Sequence, residues 1–134
     1  MVDDTYQIDI IASCQYVDRF RDLGDISTRT ALYFGVKQSK ADTDANALIL
    51  IEESAGLLYI NKTAADTPAN GTITVNDAVS GDITVTLSAV ETLKLIENAG
   101  KSYFDIKVLD AAGEGQLLRI GRGLIMSGVI RMVT

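Results

Sequence analysis

Carboxylates and amides at regular spacing form the best candidate for chemistry in this sequence. Asp42, Asp44 and Asn46, followed by Glu53, match ligand positions 1, 3, 5 and 12 of a calcium-binding loop. The sixth position is Ala47, where the sharp turn of such a loop needs glycine, and an apolar run of strand type follows it. The sequence therefore predicts a solvated acidic turn here and no metal site.

Histidine and cysteine supply many catalytic bases and nucleophiles, and both are scarce. The chain has no histidine and one cysteine, Cys14, so it offers neither a Ser-His triad nor an internal disulfide. No basic residue lies close to Cys14 in the sequence, although a reactive thiol needs such a neighbour to stabilise its thiolate. We therefore predict that Cys14 is a small buried apolar residue, that the protein is not an enzyme, and that it has no cofactor.

Two pairs of glycines are the remaining patterns that resemble a binding motif. Gly113 with Gly115, and Gly121 with Gly123, do not precede a predicted helix, so neither pair is predicted to bind phosphate. We interpret both pairs as bends or β-bulges between strands.

Length and charge limit the possible partners. The chain has 134 residues, of which 47% are hydrophobic and 22% charged, and its formal net charge is −6. Nucleic acids and anionic membrane surfaces are bound by clustered lysine and arginine, so we predict neither as a partner. The acidic amino terminus is unlike a secretory signal, and no apolar run reaches the length of a membrane span. We predict one domain over residues 1–134.

The stretch from residue 82 to residue 110 places one short helix between two strands. Alternation of apolar and polar residues predicts a strand on each side. Ser88 followed by Glu91 matches a capping box, in which each side chain bonds a backbone N–H of the first helical turn. Apolar residues at helical spacing then predict the buried face of a helix over about residues 89–98. The residues of this face are Val90, Leu93 and Ile96, with Leu95 beside them.

The rest of the chain is predicted to form short strands joined by polar turns, about eight to nine strands in all. Residues 61–71 contain the single proline and are predicted to be an irregular loop. Gly121 and Gly123 are predicted to interrupt the chain between the last two strands. Many short strands with one short helix predict an all-β sandwich.

The C-terminal strand, predicted over residues 124–133, is apolar on both faces. Such a strand in a two-layer sandwich needs cover from outside its own sheet. Two interpretations remain open, a central strand beneath the helix and a subunit interface. The candidate interface residues are Ile125, Val129, Arg131 and Val133. In an interface, Arg131 would need a carboxylate from the partner, because an unpaired buried charge is costly.

Several segments stand in the order found in one family of phage proteins. They are Phe20 before the turn Gly24-Asp25-Ile26, the strand Ala31–Lys37, the segment Tyr103-Phe104-Asp105-Ile106 after the helix, and Gly121-Arg122-Gly123 before the C-terminal strand. In this order the sequence resembles the immunoglobulin-like domain at the N-terminus of phage baseplate upper proteins and related small virion proteins. It departs from that family at Thr28, where glycine is frequent, and over residues 40–71.

The resemblance implies an immunoglobulin-like β-sandwich without catalytic residues, assembled as a homotrimer. It implies a virion structural protein, assembled in the cytoplasm of the bacterial host, whose partners are other phage structural proteins. As a stand-alone module it would be an adaptor or hinge that links the baseplate or tail to a tail fibre. The alternative is a capsid cement (decoration) protein. A ligand-binding sandwich is a weaker hypothesis, because the chain has no tryptophan and few aromatic residues for a binding platform.

Overall fold

The strands predicted from alternation form two packed sheets. The computed structural model describes residues 6–39, 41–43, 46–53 and 57–127, and strand accounts for 53% of these residues. The elements are β1 (Gln7–Ile11), β2 (Tyr16–Phe20), β3 (Ala31–Lys37), β4 (Ile49–Glu52), β5 (Leu58–Ile60), β6 (Thr63–Ala64), β7 (Gly71–Asp77), β8 (Asp82–Leu87), α1 (Ala89–Leu93), β9 (Gly100–Leu109) and β10 (Gly115–Met126). Short 3₁₀ turns occupy Pro68–Asn70 and Ile96–Asn98.

The two sheets contain seven and three strands. The larger has the order β1-β10-β9-β3-β4-β5-β6, and the smaller has the order β2-β8-β7. β1 and β10 run parallel, with Ile8 opposite Gly123, whereas the other pairs of the described strands are antiparallel. Alternate residues of each strand point between the sheets, where Ile49, Val85 and Ile106 are fully buried. The core therefore lies between the two layers.

Phenylalanine rings form the centre of the core. Phe20 of β2 lies 5.6 Å from Phe104 of β9 and 6.0 Å from Phe34 of β3, measured between ring centroids. Phe34 also lies 6.2 Å from Phe104 and 6.1 Å from Tyr16. Aromatic pairs at such distances stabilise a core beyond the area that they bury. This phenylalanine cluster (Phe20, Phe34 and Phe104) ties the smaller sheet to the larger one without a covalent bond.

The strand order is that of a variable-type immunoglobulin sandwich. β3, β9 and β10 form the centre of the larger sheet, β4 and β5 extend it, and β2, β8 and β7 form the facing sheet. Antibody domains join the equivalents of β2 and β9 by a disulfide, and a tryptophan on the β3 equivalent packs against it. The phenylalanine cluster occupies these same three strands here. The predicted all-β, immunoglobulin-like sandwich is confirmed, with ten described strands where eight to nine were predicted.

The predicted interruption at Gly121 and Gly123 is wrong. Both glycines lie inside β10, which continues from Gly115 to Met126 beside β9. A Cβ atom at Gly121 would collide with the ring of Phe104 and with the backbone of Tyr6. Glycine is therefore present because β1, β10 and β9 pack closely at this point, and the chain does not turn there.

Residues 61–71, predicted as an irregular loop, contain two short elements. β6 pairs with β5 and becomes the edge of the larger sheet, and a 3₁₀ turn begins at Pro68. Asn61 and Lys62 adopt positive φ angles in the tight turn between β5 and β6. A two-residue strand has too few positions to show alternation, so the sequence gives no signal for β6.

The short helix begins where the sequence predicts, but its other face is turned toward the core. α1 follows Ser88, and the 3₁₀ turn at Ile96–Asn98 leads on toward β9. The three residues of the predicted buried face are exposed: Val90 (66%), Leu93 (48%) and Ile96 (46%). The capping box does not form, because the Ser88 hydroxyl makes no hydrogen bond with a described residue. Within the described ranges, no helix has the length and hydropathy to span a bilayer.

Polar contacts explain why the face of α1 that carries Glu91 and Thr92 is turned toward the core. Glu91 is 2% exposed, and its Oε2 accepts a hydrogen bond from Asn70 Nδ2 at 2.9 Å. Its Oε1 lies 2.7 Å from Lys94 Nζ. Thr92 Oγ1 donates a hydrogen bond to the carbonyl oxygen of Cys14 at 2.8 Å. The helix is therefore held by polar groups from the neighbouring turns, in addition to buried Leu95 in the core.

Glu91 makes the stability of the fold dependent on pH. Burial by itself raises the pKa of Glu91, but the contacts with Asn70 and Lys94 outweigh it and hold the pKa below its ordinary value. Such a carboxylate stabilises the fold above its unfolded-state pKa, about 4.3, and this contribution disappears as the pH falls through the folded-state pKa. We expect Glu91→Gln to lower the free energy of unfolding at neutral pH by about 1 to 3 kcal/mol.

The measurement is urea unfolding of wild type and variant at neutral pH and near pH 3. The difference between them is expected to shrink at the lower pH, because the carboxyl of the unfolded chain then binds a proton that the folded carboxylate resists, and this favours unfolding of the wild type. Glu97→Gln is the control, since Glu97 is exposed and its removal changes the net charge equally. Equal losses in the two variants would contradict a special role for Glu91.

Candidate interaction surface

The outer face of the three-stranded sheet is mostly polar, and Val17, which is 55% exposed, is its large apolar exception. Its threonines are paired across strands, Thr72 with Thr86 and Thr74 with Thr84. Beside them, Arg19 donates two hydrogen bonds to Asp82, at 2.6 and 2.8 Å, and these bonds lower the pKa of Asp82 to about 2. Hydroxyl groups and a solvated ion pair are stable in water, so this face does not need a partner.

The outer face of the seven-stranded sheet carries tyrosine and aliphatic side chains interspersed with charged ones, among them Glu52, Lys107 and Arg122. We call six of its residues the tyrosine face: Tyr33, Leu50, Tyr59, Tyr103, Ile120 and Leu124. Each is half-buried and alternates along its strand with residues that point into the core. Three of the five tyrosines of the chain lie here. Tyrosine is enriched at protein–protein interfaces, so this face is a candidate interaction surface.

An ion pair lies in the middle of the tyrosine face. Lys37 Nζ is 3.1 Å from Asp105 Oδ2, and the two side chains are only 11% and 15% exposed. Gly35 lies opposite both Leu50 and Asp105 in the sheet. A Cβ at Gly35 would lie 3.0 Å from Asp105 Oδ1, so the carboxylate rests above the glycine. The pair therefore adds no net charge to the tyrosine face.

One corner of the same sheet face is cationic. A depression of about 380 Å³ opens over β1, β10 and β9. Its lining includes Gln7, Lys101, Tyr103, Arg122 and Leu124. Lys101 and Arg122 are exposed, and neither forms an ion pair with a described residue. We call this feature the cationic depression.

The loops at the end opposite α1 are braced by their own side chains. Asp25, Asp77 and Asp110 each accept hydrogen bonds from backbone N–H groups two to four residues later. Arg29 donates two hydrogen bonds to Glu53, at 2.6 and 2.7 Å, and so joins the β2–β3 loop to the end of β4. Variable domains of antibodies bind antigen with this end. Because these polar groups already have partners within the chain, the tyrosine face is the stronger candidate.

The described residues of the calcium-like sequence pattern do not converge. The Glu53 carboxylate is bound to Arg29, and Asp42 Oδ2 accepts a hydrogen bond from the Ser39 backbone N–H at 3.2 Å. Asp44 lies outside the described residues. In the ranges that are described, no three potential metal ligands come together.

The structure also bears on the candidate interface residues and on Cys14. Ile125, a candidate interface residue, lies in β10 between β1 and β9, and it is 1% exposed within the single chain. Its burial therefore needs no second subunit. Val129, Arg131 and Val133 lie outside the described residues, so an interface there stays a prediction. Cys14, predicted to be buried, is half-exposed in the turn between β1 and β2, because that turn lies at the surface.

Comparisons with known proteins bear on the fold. No protein-family model matches the chain, and no curated protein matches it. The chain is similar to the solved structure of the NK cell receptor Nkp44, with a TM-score of 0.54 and 12% identity over 92% of this chain and 98% of that chain. VGSC beta subunits, described for multimeric cell-adhesive interactions, give a TM-score of 0.42 and 14% identity over 91% and 92% of the two chains. The structure of murine CRIg gives a TM-score of 0.43 and 8% identity over 89% of this chain and 91% of that chain. At these identities the likeness shows the fold alone.

Proposed function

We propose that the protein is a non-enzymatic structural component that binds another protein through the tyrosine face. The observation that carries this proposal is the contrast between the two sheets, with threonines on one outer face and tyrosine, leucine and isoleucine on the other. Tyrosine gives a large contact area at a low cost in side-chain entropy. The similarity to Nkp44, which is a receptor, supports binding over catalysis.

The setting proposed for this binding is a phage virion, and its support is the sequence resemblance to baseplate upper proteins. The proposed role is an adaptor or hinge between the baseplate or tail and a tail fibre, acting as a homotrimer. The tyrosine face would then contact a neighbouring virion protein, and a capsid decoration protein is the alternative. An adaptor needs one exposed face that is complementary to its neighbour and another that tolerates water. The different compositions of the two outer faces support this role.

A charge placed on the tyrosine face tests the proposal. Leu50→Glu is expected to lower incorporation of the protein into virions by at least about tenfold, because burying an unpaired carboxylate in an interface costs well over 1.4 kcal/mol. Thr74→Glu is the matched control, since it adds the same charge on a strand of the threonine-bearing face. Quantitative mass spectrometry of virions made in the presence of each variant measures the incorporation.

The outcomes separate the parts of the proposal. Equal incorporation of the two variants would contradict binding through the tyrosine face. Absence of the wild-type protein from purified virions would contradict the virion role. Electron micrographs of virions with labelled protein separate the two roles. Label at the baseplate or fibre junction supports the adaptor role, whereas label at capsid symmetry axes contradicts it and supports the decoration role.

A further inference from the structure

The cationic depression is unusual in a protein with a formal net charge of −6. Four other cationic side chains of the described residues form ion pairs: Arg19 with Asp82, Arg29 with Glu53, Lys37 with Asp105 and Lys94 with Glu91. Arg21, Lys62 and Arg119 form no ion pair with a described residue, but none of them lies in this depression. Lys101 and Arg122 have no such partner and lie near each other on one sheet face. Two neighbouring like charges repel each other, so an anion bound between them would be favourable to both.

The sheet register fixes the spacing of the two cations. Leu124 lies directly opposite Lys101, and Arg122 lies directly opposite Tyr103. Lys101 and Arg122 are therefore diagonal neighbours, which lie about 7 to 8 Å apart, with a somewhat shorter separation between their Cβ atoms. In an extended chain, side chains on one face repeat every second residue, at roughly 6.5 Å. Two carboxylates at alternate positions of an extended segment therefore match the two cations.

The remaining residues of the depression fit an extended protein segment. The volume of about 380 Å³ exceeds what a single carboxylate would fill, and the depression is bordered by β1, the edge strand of the sheet. Asp9 is the acidic residue next to it, and its Oδ1 accepts a hydrogen bond from Gln7 Nε2 at 3.1 Å. Asp9 is opposite Leu124, so it is two strands from Lys101, a separation of roughly 10 Å, and it is a diagonal neighbour of Arg122. Asp9 forms no ion pair with either cation, so both remain available to an added carboxylate.

We infer that the cationic depression binds an extended segment of a partner protein in which Asp or Glu residues occupy alternate positions. This inference rests on the proposed function, because it names the chemistry of the partner that the tyrosine face meets. Lys101 and Arg122 each bind one carboxylate of the segment. The half of the face around Leu50 and Tyr59 contacts apolar groups of the same partner.

Three synthetic peptides of equal length test the inference by NMR titration of the labelled protein. One has two aspartates separated by one residue, one has the same two aspartates adjacent, and one has asparagines in their place. The first peptide is expected to shift the amide resonances of β1, β9 and β10 and to bind about tenfold more tightly than the asparagine peptide, as two partly exposed ion pairs allow. The adjacent arrangement is expected to bind more weakly than the alternating one.

Charge reversal in the protein provides the second arm. The double variant Lys101→Glu/Arg122→Glu is expected to lose the binding, whereas Lys62→Glu, which reverses an exposed charge in the β5–β6 turn, is expected to keep it. Equal binding of the aspartate and asparagine peptides would overturn the inference. It would also be overturned if inorganic phosphate shifted the same amides with equal affinity, since the depression would then be a small-anion site.

Failure of this inference and failure of the proposed function give different results. In one outcome, Leu50→Glu is excluded from virions, the double variant is incorporated normally and no peptide binds. Binding through the tyrosine face is then supported, and the inference of an acidic partner segment is wrong. In another outcome, the peptide with alternating aspartates binds, but wild-type protein is absent from virions. Binding of an acidic segment is then supported, and the proposed virion role is wrong. In a third outcome, the wild type self-associates and Arg122→Glu abolishes this self-association. That result would show that a second copy of this chain occupies the cationic depression, and it would overturn the inference of a different partner protein.

Discussion

Replacement of Phe34 by alanine is expected to lower the free energy of unfolding by about 3 to 5 kcal/mol. Phe34 is fully buried, and its ring contacts Phe20, Phe104 and Tyr16 at centroid distances of 6.0, 6.2 and 6.1 Å. The variant therefore loses apolar burial, leaves a cavity and removes three aromatic contacts at once. Because whole domains are stable by only about 5 to 15 kcal/mol, this loss is a large fraction of the total. Urea unfolding measures it.

Two further variants make the Phe34 result interpretable. Tyr33→Ala removes a ring of similar size from the adjacent position of β3, where the side chain points outward and is half-buried, so a much smaller loss is expected. Phe34→Leu keeps most of the apolar volume and is expected to fold even if Phe34→Ala does not. A loss in Phe34→Ala no larger than in Tyr33→Ala would contradict the central role of the phenylalanine cluster.

The second large effect is expected at the turn between β7 and β8. Gly81 has a φ angle of 72°, and a Cβ atom there would collide with the backbone of Gly24 and Leu23 in the β2–β3 loop. The Gly81 carbonyl also accepts a hydrogen bond from the Leu23 N–H at 3.1 Å. We expect Gly81→Ala to lose about 1 to 2 kcal/mol from backbone strain and about 1 to 3 kcal/mol more from overpacking.

Gly113 provides a matched comparison for Gly81. Its φ angle is 82°, but a Cβ atom there would meet nothing within 4 Å. Gly113→Ala is therefore expected to show the backbone strain alone, about 1 to 2 kcal/mol. The difference between the two variants in urea unfolding reports how firmly the β2–β3 loop is docked on the β7–β8 turn. Equal losses would show that the loop moves aside without cost.

The strands were the predictable part of this fold, for a physical reason. A strand with one buried face alternates apolar and polar residues, and the strand predicted from this pattern at residue 82 is β8 (Asp82–Leu87). β10 was misjudged at Gly121, because glycine in a sequence indicates a turn more readily than a close approach of neighbouring strands. β6 was missed because two residues carry no periodicity.

The helix and the interaction surface show where sequence patterns stop being informative. Periodicity placed α1 correctly but assigned Val90 to the buried face, because it assumes that apolar residues face inward. The structure buries Glu91 instead, where Asn70 and Lys94 meet its carboxylate. The tyrosine face joins residues from strands far apart in the sequence. Strand order and pairing decide which of these residues become neighbours, and no single strand contains that information.

The parallel pairing of β1 with β10 has a mechanical consequence. Force applied along the chain through Gln7 and Met126 would pull these two strands in opposite directions along their length. The ladder between them, from the bond of Arg122 N–H with Tyr6 O (2.8 Å) to that of Ala12 N–H with Met126 O (2.9 Å), would then be sheared with its bonds stretched together. An antiparallel pair pulled from one end instead opens one bond at a time. This parallel pair is therefore expected to resist tension along its strands more strongly than an antiparallel pair of the same length that is pulled from one end.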